Sequence, residues 1–166
     1  MSSGSPVLFY RATHRFGCFS NFYRANISID GLKFICNEQY IMYQKAVLFN
    51  DKISADKILK SNNPMQIKTY GRAVKGFNED LWVQYREQIA DQCNRAKFTQ
   101  HNDLRKILLS TGDALIAEAS PSDKIWGIGV DELMGKNIKT WKGFNLLGKS
   151  LMRVREEIQS TYKKSQ

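Results

Sequence analysis

The run Asn37-Glu38-Gln39-Tyr40-Ile41-Met42-Tyr43-Gln44-Lys45 constrains this chain more than any other segment. As a helix it is apolar or aromatic on nearly every side. At ~100° per residue, Glu38 and Lys45 fall within ~20° of each other, on a stripe shared with Met42 and Phe49. A surface helix would set such charges opposite its apolar stripe, but here they interrupt it. Opposite charges on an apolar face are costly to bury unless they pair or line a polar cleft. Seven residues rise ~10 Å, room for a small ligand between the two heads. A buried ion pair, or a lysine whose head reaches out to water, would satisfy the same pattern.

The chain has 166 residues and a formal net charge of +9. That length suits one domain with a real core. No apolar run reaches the ~18–20 residues of a membrane span, so no membrane partner is expected. Residues 1–6 lack the basic and apolar regions of a secretory signal and read as a flexible leader. Cys18, Cys36 and Cys93 are odd in number and widely spaced. They make neither a zinc motif nor a disulfide framework, which fits a reducing intracellular compartment, cytoplasmic or nuclear. His14 and His101 have no ligand spacing, so neither a metal site nor a cofactor is expected. The positive charge favours anionic partners: nucleic acid, nucleotides or phosphorylated metabolites. A role in solubility alone would also account for it.

Elements follow from turns and caps. Val7–Tyr10 reads as a strand. Asp30-Gly31, between β-prone runs in 27–35, reads as a hairpin. A helix follows at about 37–49. Asn50 is expected to cap a second helix, with Ile53, Ile58 and Leu59 toward the core. Asn63-Pro64 starts a third, which stops at Gly71. Asn78-Glu79-Asp80 starts a fourth, with acids in the first turn where the helix dipole favours them. Trp82, Tyr85, Ile89, Cys93 and Ala96 mark its buried stripe. Asn102 opens a fifth helix with Leu104, Ile107 and Leu108, ended by Thr111-Gly112. Residues 115–119 are strand-like. The last helix starts near Phe144 or Asn145 and buries Leu147, Leu151, Val154 and Ile158. The expected fold is α+β: a helix-rich single domain at 7–160 with a small, mostly antiparallel sheet, followed by a flexible basic tail at 161–166.

Four further segments could carry chemistry. Gly17 to Tyr23 combines small residues, the Asn21 amide and aromatics such as Phe22, which suits stacking and hydrogen bonding of a base. In Ser120 to Gly129, Gly127 and Gly129 would let the backbone approach a ligand, and Trp126 offers a platform. Arg72 after Gly71 could hold a phosphate bidentately. Asn145 could present donors to an anion at a helix start. Plain turns, a surface arginine and an ordinary N-cap would explain these four segments equally well. No serine-hydrolase elbow, Walker loop, dinucleotide fingerprint or zinc-deaminase pattern is present.

Taken together, these pieces resemble the NADAR family of YbiA-like N-glycosidases. The matching residues are Phe19-Ser20-Asn21-Phe22-Tyr23, Glu38-Gln39-Tyr40 leading to Gln44-Lys45-Ala46, Gly71-Arg72, and Arg95-Ala96-Lys97-Phe98. They continue through Leu108 to Gly112, Glu118 to Gly129, Asn145-Leu146-Leu147-Gly148-Lys149, and Met152 to Glu156. The resemblance covers about residues 8–158 in order. Cys36-Asn37 before the helix glutamate and the spacer 130–143 are individual to this chain, and the spacer bears on who binds.

The resemblance implies cleavage of an N-glycosidic bond at a ribose C1. Some members remove ADP-ribose from guanine in nucleic acid. Others hydrolyse phosphoribosylamino-pyrimidine intermediates of riboflavin synthesis. It also implies that Lys45 forms a Schiff base with the opened ribose, with Lys97 in reserve. The residues agree, since an apolar wall favours the unprotonated amine that attack requires. Glu38 could shuttle protons, although its charge would also raise the lysine's pKa. Substrate contacts are expected from Asn21, Phe22, Tyr43, Gln44, Arg72, Asp123, Trp126, Gly127, Gly129 and Asn145. The expected partner is the ADP-ribose moiety of a modified guanine, with single-stranded nucleic acid around it. The alternatives are the riboflavin-intermediate reaction and a non-catalytic ADP-ribose-binding module.

Overall fold

A computed structural model describes residues 4–164. Its contacts fall into two compact units, residues 21–100 and the residues up to 20 together with those from 101 on.

The 21–100 unit begins with the hairpin expected around Asp30-Gly31, its strands numbered β2 (Ile27–Ile29) and β3 (Leu32–Phe34) after the first strand of the chain, β1 (Val7–Phe9). Ile27 faces Phe34 and Ile29 faces Leu32 in antiparallel register. Asp30 and Gly31 both have positive φ, 51° and 78°, as the tight hairpin turn demands. Helices α1 (Asn37–Leu48), α2 (Lys52–Lys60), α3 (Pro64–Arg72) and α4 (Glu79–Gln100) follow. α1 packs against α2, α3 and α4, so it has little free face. That is why its apolar residues run nearly all the way round. Two buried amides of α1 donate across the unit. Gln39 Nε2 donates to the carbonyls of Ile58 and Ser61, both at 2.9 Å, and its Oε1 accepts from Ile35 N at 2.7 Å. Asn37 Nδ2 donates to Asn94 Oδ1 at 2.7 Å. Gly71 lies inside α3, where a Cβ would meet Met42 Sδ of α1 at 2.0 Å.

Three local expectations change here. Asp51, not Asn50, caps α2, accepting from Ser54 N at 3.0 Å, while Asn50 takes a positive φ of 56° at the end of α1. With its backbone and hydroxyl donors from Ser54 and Lys75, the Asp51 carboxyl is held down at about 2. Ile53 is 68% exposed and Tyr85 is 42% exposed, so neither joins the core. The buried stripe of α4 runs instead through Trp82, Arg86, Ile89, Ala90 and Cys93.

In the other unit, β1 pairs in parallel with β4 (Ile116–Glu118), Val7 opposite Ile116 and Phe9 opposite Glu118. The strands thus form two separate ladders, one antiparallel and one parallel, rather than one sheet. Helices α5 (Asn102–Ser110), α6 (Glu132–Gly135) and α7 (Leu146–Lys164) complete the unit. α5 opens at Asn102 as expected, with His101 in the N-cap position, but Ile107 is exposed. α7 buries Leu147, Leu151, Val154 and Ile158 as its spacing predicts. It also buries Arg155, whose Nη1 donates to Thr111 Oγ1 at 2.7 Å and Ala114 O at 2.9 Å. The tail expected from 161 continues as the last turn of α7 through Lys164. Residues 1–3 of the leader and 165–166 of the tail lie outside the described residues. Among the described residues no helix is long and apolar enough to cross a membrane. The fold class is α+β and helix-rich.

Candidate active site

In the 21–100 unit, the functional side chains are set along α1. Glu38 stands in its first turn, where the helix dipole favours a carboxylate. It is 8% exposed, and its backbone N–H donates to Asn21 O at 2.9 Å. Lys45 lies two turns on and is half-buried. Its Nζ is 4.4 Å from the centroid of the Phe77 ring and 5.9 Å from that of Trp82. Phe77 precedes α4 and Trp82 lies in its first turn, so the start of α4 supplies an aromatic box for the amine. Ring faces attract the ammonium, but they replace its water. Burial holds the Lys45 ammonium below the ordinary lysine value. Glu79 and Glu38 pull it upward, and Arg72 pushes it further down. Glu79 is itself shared, with Oε1 3.6 Å from Arg86 Nη1.

Two buried amide oxygens in this unit, Asn21 Oδ1 and Asn37 Oδ1, have no hydrogen-bond partner. Asn21 meets Glu38 through its backbone, so its free acceptor belongs to the same neighbourhood. Such orphans are uncommon in native interiors and suit a donor brought by a ligand. Arg72 is exposed at the end of α3, within electrostatic reach of Lys45. Phe22 is half-buried, with Lys68 Nζ 5.4 Å from its ring centroid.

Two expected contacts face elsewhere. Tyr43 packs on Phe34 at 5.5 Å between centroids and lines a cavity of about 370 Å³ with Ala46, Val47, Asn50, Ala55 and Leu59. On the helix it stands ~140° from Glu38, away from the Glu38–Lys45 stripe. Gln44 is half-buried and, one residue from Lys45, is turned ~100° away from it.

Lys97 is wholly buried, with Nζ 5.3 Å from the Tyr23 centroid and 5.5 Å from that of Phe98. Burial raises the Cys36 and Cys93 thiols, and both thiols feel the Glu38 and Lys97 charges in opposite directions. Glu38 and Lys97 therefore share one interior region. Phe77 escaped the sequence reading, Glu79 was read only as part of a helix start, and Trp82 only as core. The signal available was a lysine on an apolar helix needing aromatic cover. Which rings supply that cover depends on how α4 starts.

In the other unit, residues 118–129 form a tightly wired loop. Asp123 Oδ1 accepts from Ile125 N and Trp126 N, both at 2.8 Å, a side-chain turn of the kind Asp favours. A Cβ on Gly127 would stand 2.9 Å from both Asp123 O and Glu118 O. Gly129 has φ 70° and donates to Asp123 O at 3.1 Å. Trp126 is half-buried. Asn145 is buried at φ 55°, with Nδ2 donating to Ile116 O at 2.9 Å and Oδ1 accepting from Glu118 N at 3.2 Å. Its amide is occupied by β4. In place of an anion or a helix cap, it serves the join between β4 and α7. The two glycines likewise meet a packing need of the loop itself. Among the described residues no group of three His, Cys, Asp or Glu side chains is placed to hold a metal ion.

A helix-rich α+β fold with a half-buried lysine in an aromatic box and a buried glutamate on the same helix defines the class. The chain belongs to the NADAR family: the NADAR domain model matches residues 8–159, spanning both compact units. It is 46% identical over 129 residues to the N-glycosidase R617 of Acanthamoeba polyphaga mimivirus, covering 76% of each chain. It is 32% identical to the riboflavin biosynthesis protein VVA0006 of Vibrio vulnificus, across 93% of this chain and 39% of that protein. The NMR structure of the E. coli protein YbiA superposes with a TM-score of 0.81 at 31% identity, covering 98% of this chain and 89% of that one.

Proposed function

We propose that this protein is an N-glycosidase that removes ADP-ribose from guanine in nucleic acid through a Schiff base on Lys45. The observation that carries the proposal is the Lys45 ammonium, half-buried against Phe77 and Trp82 and held below the usual lysine value. Only the free amine is a nucleophile, and loss of water is the usual means of obtaining it near neutral pH. Membership in a family with curated N-glycosidases supports the reaction class, a hydrolase acting on N-glycosyl bonds.

Lys45 Nζ attacks ribose C1, the C1–N bond to the base breaks, and the departing base nitrogen takes a proton. The C1–O ring bond then breaks as the Lys45 nitrogen forms C=N and gives up a proton, the ring oxygen takes a proton, and the opened sugar is held as an imine. Water adds to the imine carbon, the C–N bond to Lys45 breaks, and free ADP-ribose leaves with the amine restored. Glu38 carries protons to and from these groups, at the usual scale of general acid–base catalysis. Arg72 offers a cation to the phosphates, and Asn21 an unpaired acceptor to a sugar hydroxyl or a base N–H.

The net charge of +9 favours a nucleic-acid substrate over a small metabolite. The second reading is hydrolysis of phosphoribosylamino-pyrimidines, favoured by the likeness to a protein named for riboflavin biosynthesis. A non-catalytic ADP-ribose reader has no need of a desolvated amine.

The test is to incubate the protein with ADP-ribosylated guanine in a short DNA strand and, separately, with the pyrimidine intermediates, adding borohydride during turnover. Release of ADP-ribose from the strand, with a reduced sugar adduct at Lys45 by mass spectrometry, is expected. Sugar release from the pyrimidines alone would move the assignment to the second reading. An adduct at Lys97, or active protein with no adduct, would remove Lys45 from the nucleophile role.

The pH dependence carries a sign. The single-turnover rate rises as Lys45 loses its proton, so its acid limb follows the Lys45 pKa. Glu79 pulls that pKa upward. Glu79→Gln should therefore move the acid limb to lower pH. Arg72 acts oppositely, and Arg72→Met should move the limb to higher pH. Limbs that stay put in both variants would mean that another group controls the rate.

A further inference from the structure

We propose that the surface around Lys124, Lys142 and Phe144 binds single-stranded nucleic acid. The inference rests on the nucleic-acid reading above and extends it to residues that the reaction does not use. All three side chains belong to one unit and are exposed, Phe144 at 62%. Lys124 and Lys142 meet at Gly129. A Cβ at that position would lie 2.9 Å from Lys124 Cγ and 3.4 Å from Lys142 Cβ, so the two lysine stems start close together. Phe144 N donates to Lys124 O at 2.8 Å, which fixes the ring's backbone beside them. Ile125, 39% exposed, continues the apolar surface.

The platform is pre-organised. Lys142 N and Gly143 N both donate to Ile128 O, at 2.8 and 2.9 Å, and Asn145 N donates to Gly127 O at 3.1 Å. A binding surface already held in shape loses less entropy on association. Charge favours an anion. Lys136 and Lys139 of the same spacer are also exposed. Of the three acids in 123–144, Asp123 and Asp131 are turned onto backbone N–H groups at 2.8 and 2.9 Å. An exposed ring in the same stretch as two exposed lysines matches the pattern that holds single strands, with a base on the aromatic face and phosphates on the lysines. α6, only four residues long, is too short to read a duplex groove.

The test measures binding of an unmodified single-stranded oligonucleotide to the full chain by fluorescence anisotropy across a salt series. This readout is independent of glycosidase turnover. Lys124→Gln/Lys142→Gln should weaken binding and flatten the log–log salt slope by about 1.4, at ~0.7 per phosphate released. Phe144→Ala should weaken binding about tenfold or more, on the scale of one lost base stack, with the slope kept. Phe144→Leu should lose nearly as much, because leucine is apolar but does not stack. Full rescue by leucine would mark a general apolar contact and overturn the proposal. So would wild-type-like binding in the lysine and alanine variants, or a wild-type protein that ignores the strand. A protein that cleaves the modified mononucleotide yet shows one of these outcomes keeps its activity and loses this surface.

Discussion

Lys45→Met should lower turnover by about 10⁴-fold or more, the scale set by removing a catalytic nucleophile. Methionine keeps the length and apolar stem, so the packing on Phe77 and Trp82 survives. What disappears is the amine, and with it every covalent step. The fold should tolerate the change well, because the native site already desolvates the ammonium. The checks are single-turnover kinetics, loss of the borohydride adduct and a Tm near that of the parent. Lys45→Arg is the companion variant. It restores positive charge over the rings, yet a guanidinium stays protonated at any working pH and forms no imine. Recovery of activity by arginine would show that Lys45 serves as a cation and not as a nucleophile.

Glu38→Gln should lower turnover ~10²–10⁴-fold while ADP-ribose binding is largely kept. Glutamine preserves size and hydrogen bonding but cannot carry a proton. If binding and turnover fall in the same proportion, Glu38 positions the substrate instead. The interior around Glu38 requires a control. Glu38 and the wholly buried Lys97 both act on Cys36 and Cys93, so neutralising Glu38 alters the electrostatic balance around a buried cation. A lower Tm is therefore expected, and rates should be compared well below it. A loss of rate that tracks unfolding alone would withdraw the proton-transfer role.

Much of the chain's local structure is legible in its residues. Asp30-Gly31 admits the positive φ of a tight hairpin, and Asn63-Pro64 supplies a cap and a residue without an N–H at the first helical position. Charges inside the all-round apolar run at α1 point to Glu38 and Lys45 before any tertiary contact is known. Errors arise where neighbours compete for one local role. Asp51 takes the cap expected of Asn50, because its carboxylate also collects Lys75 N at 2.9 Å from beyond α3. Ile53, Tyr85 and Ile107 look like core by spacing but lie outside it. A period identifies a stripe without giving the width that the packing covers.

The sequence by itself determined the longer helices and the hairpin, the family and the pair of charges on α1. These depend on backbone propensity, caps and turns, all of which act within a few residues. Only the tertiary structure decided what surrounds those charges. Phe77 and Trp82 reach Lys45 because α4 begins beside α1, and Arg72 and Glu79 set its charge from two other elements. It also decided that Tyr43 faces a different cavity and that the Asn145 amide is spent on β4. Desolvation and hydrogen-bond partnership belong to the space around a side chain, and distant segments of the chain supply that space.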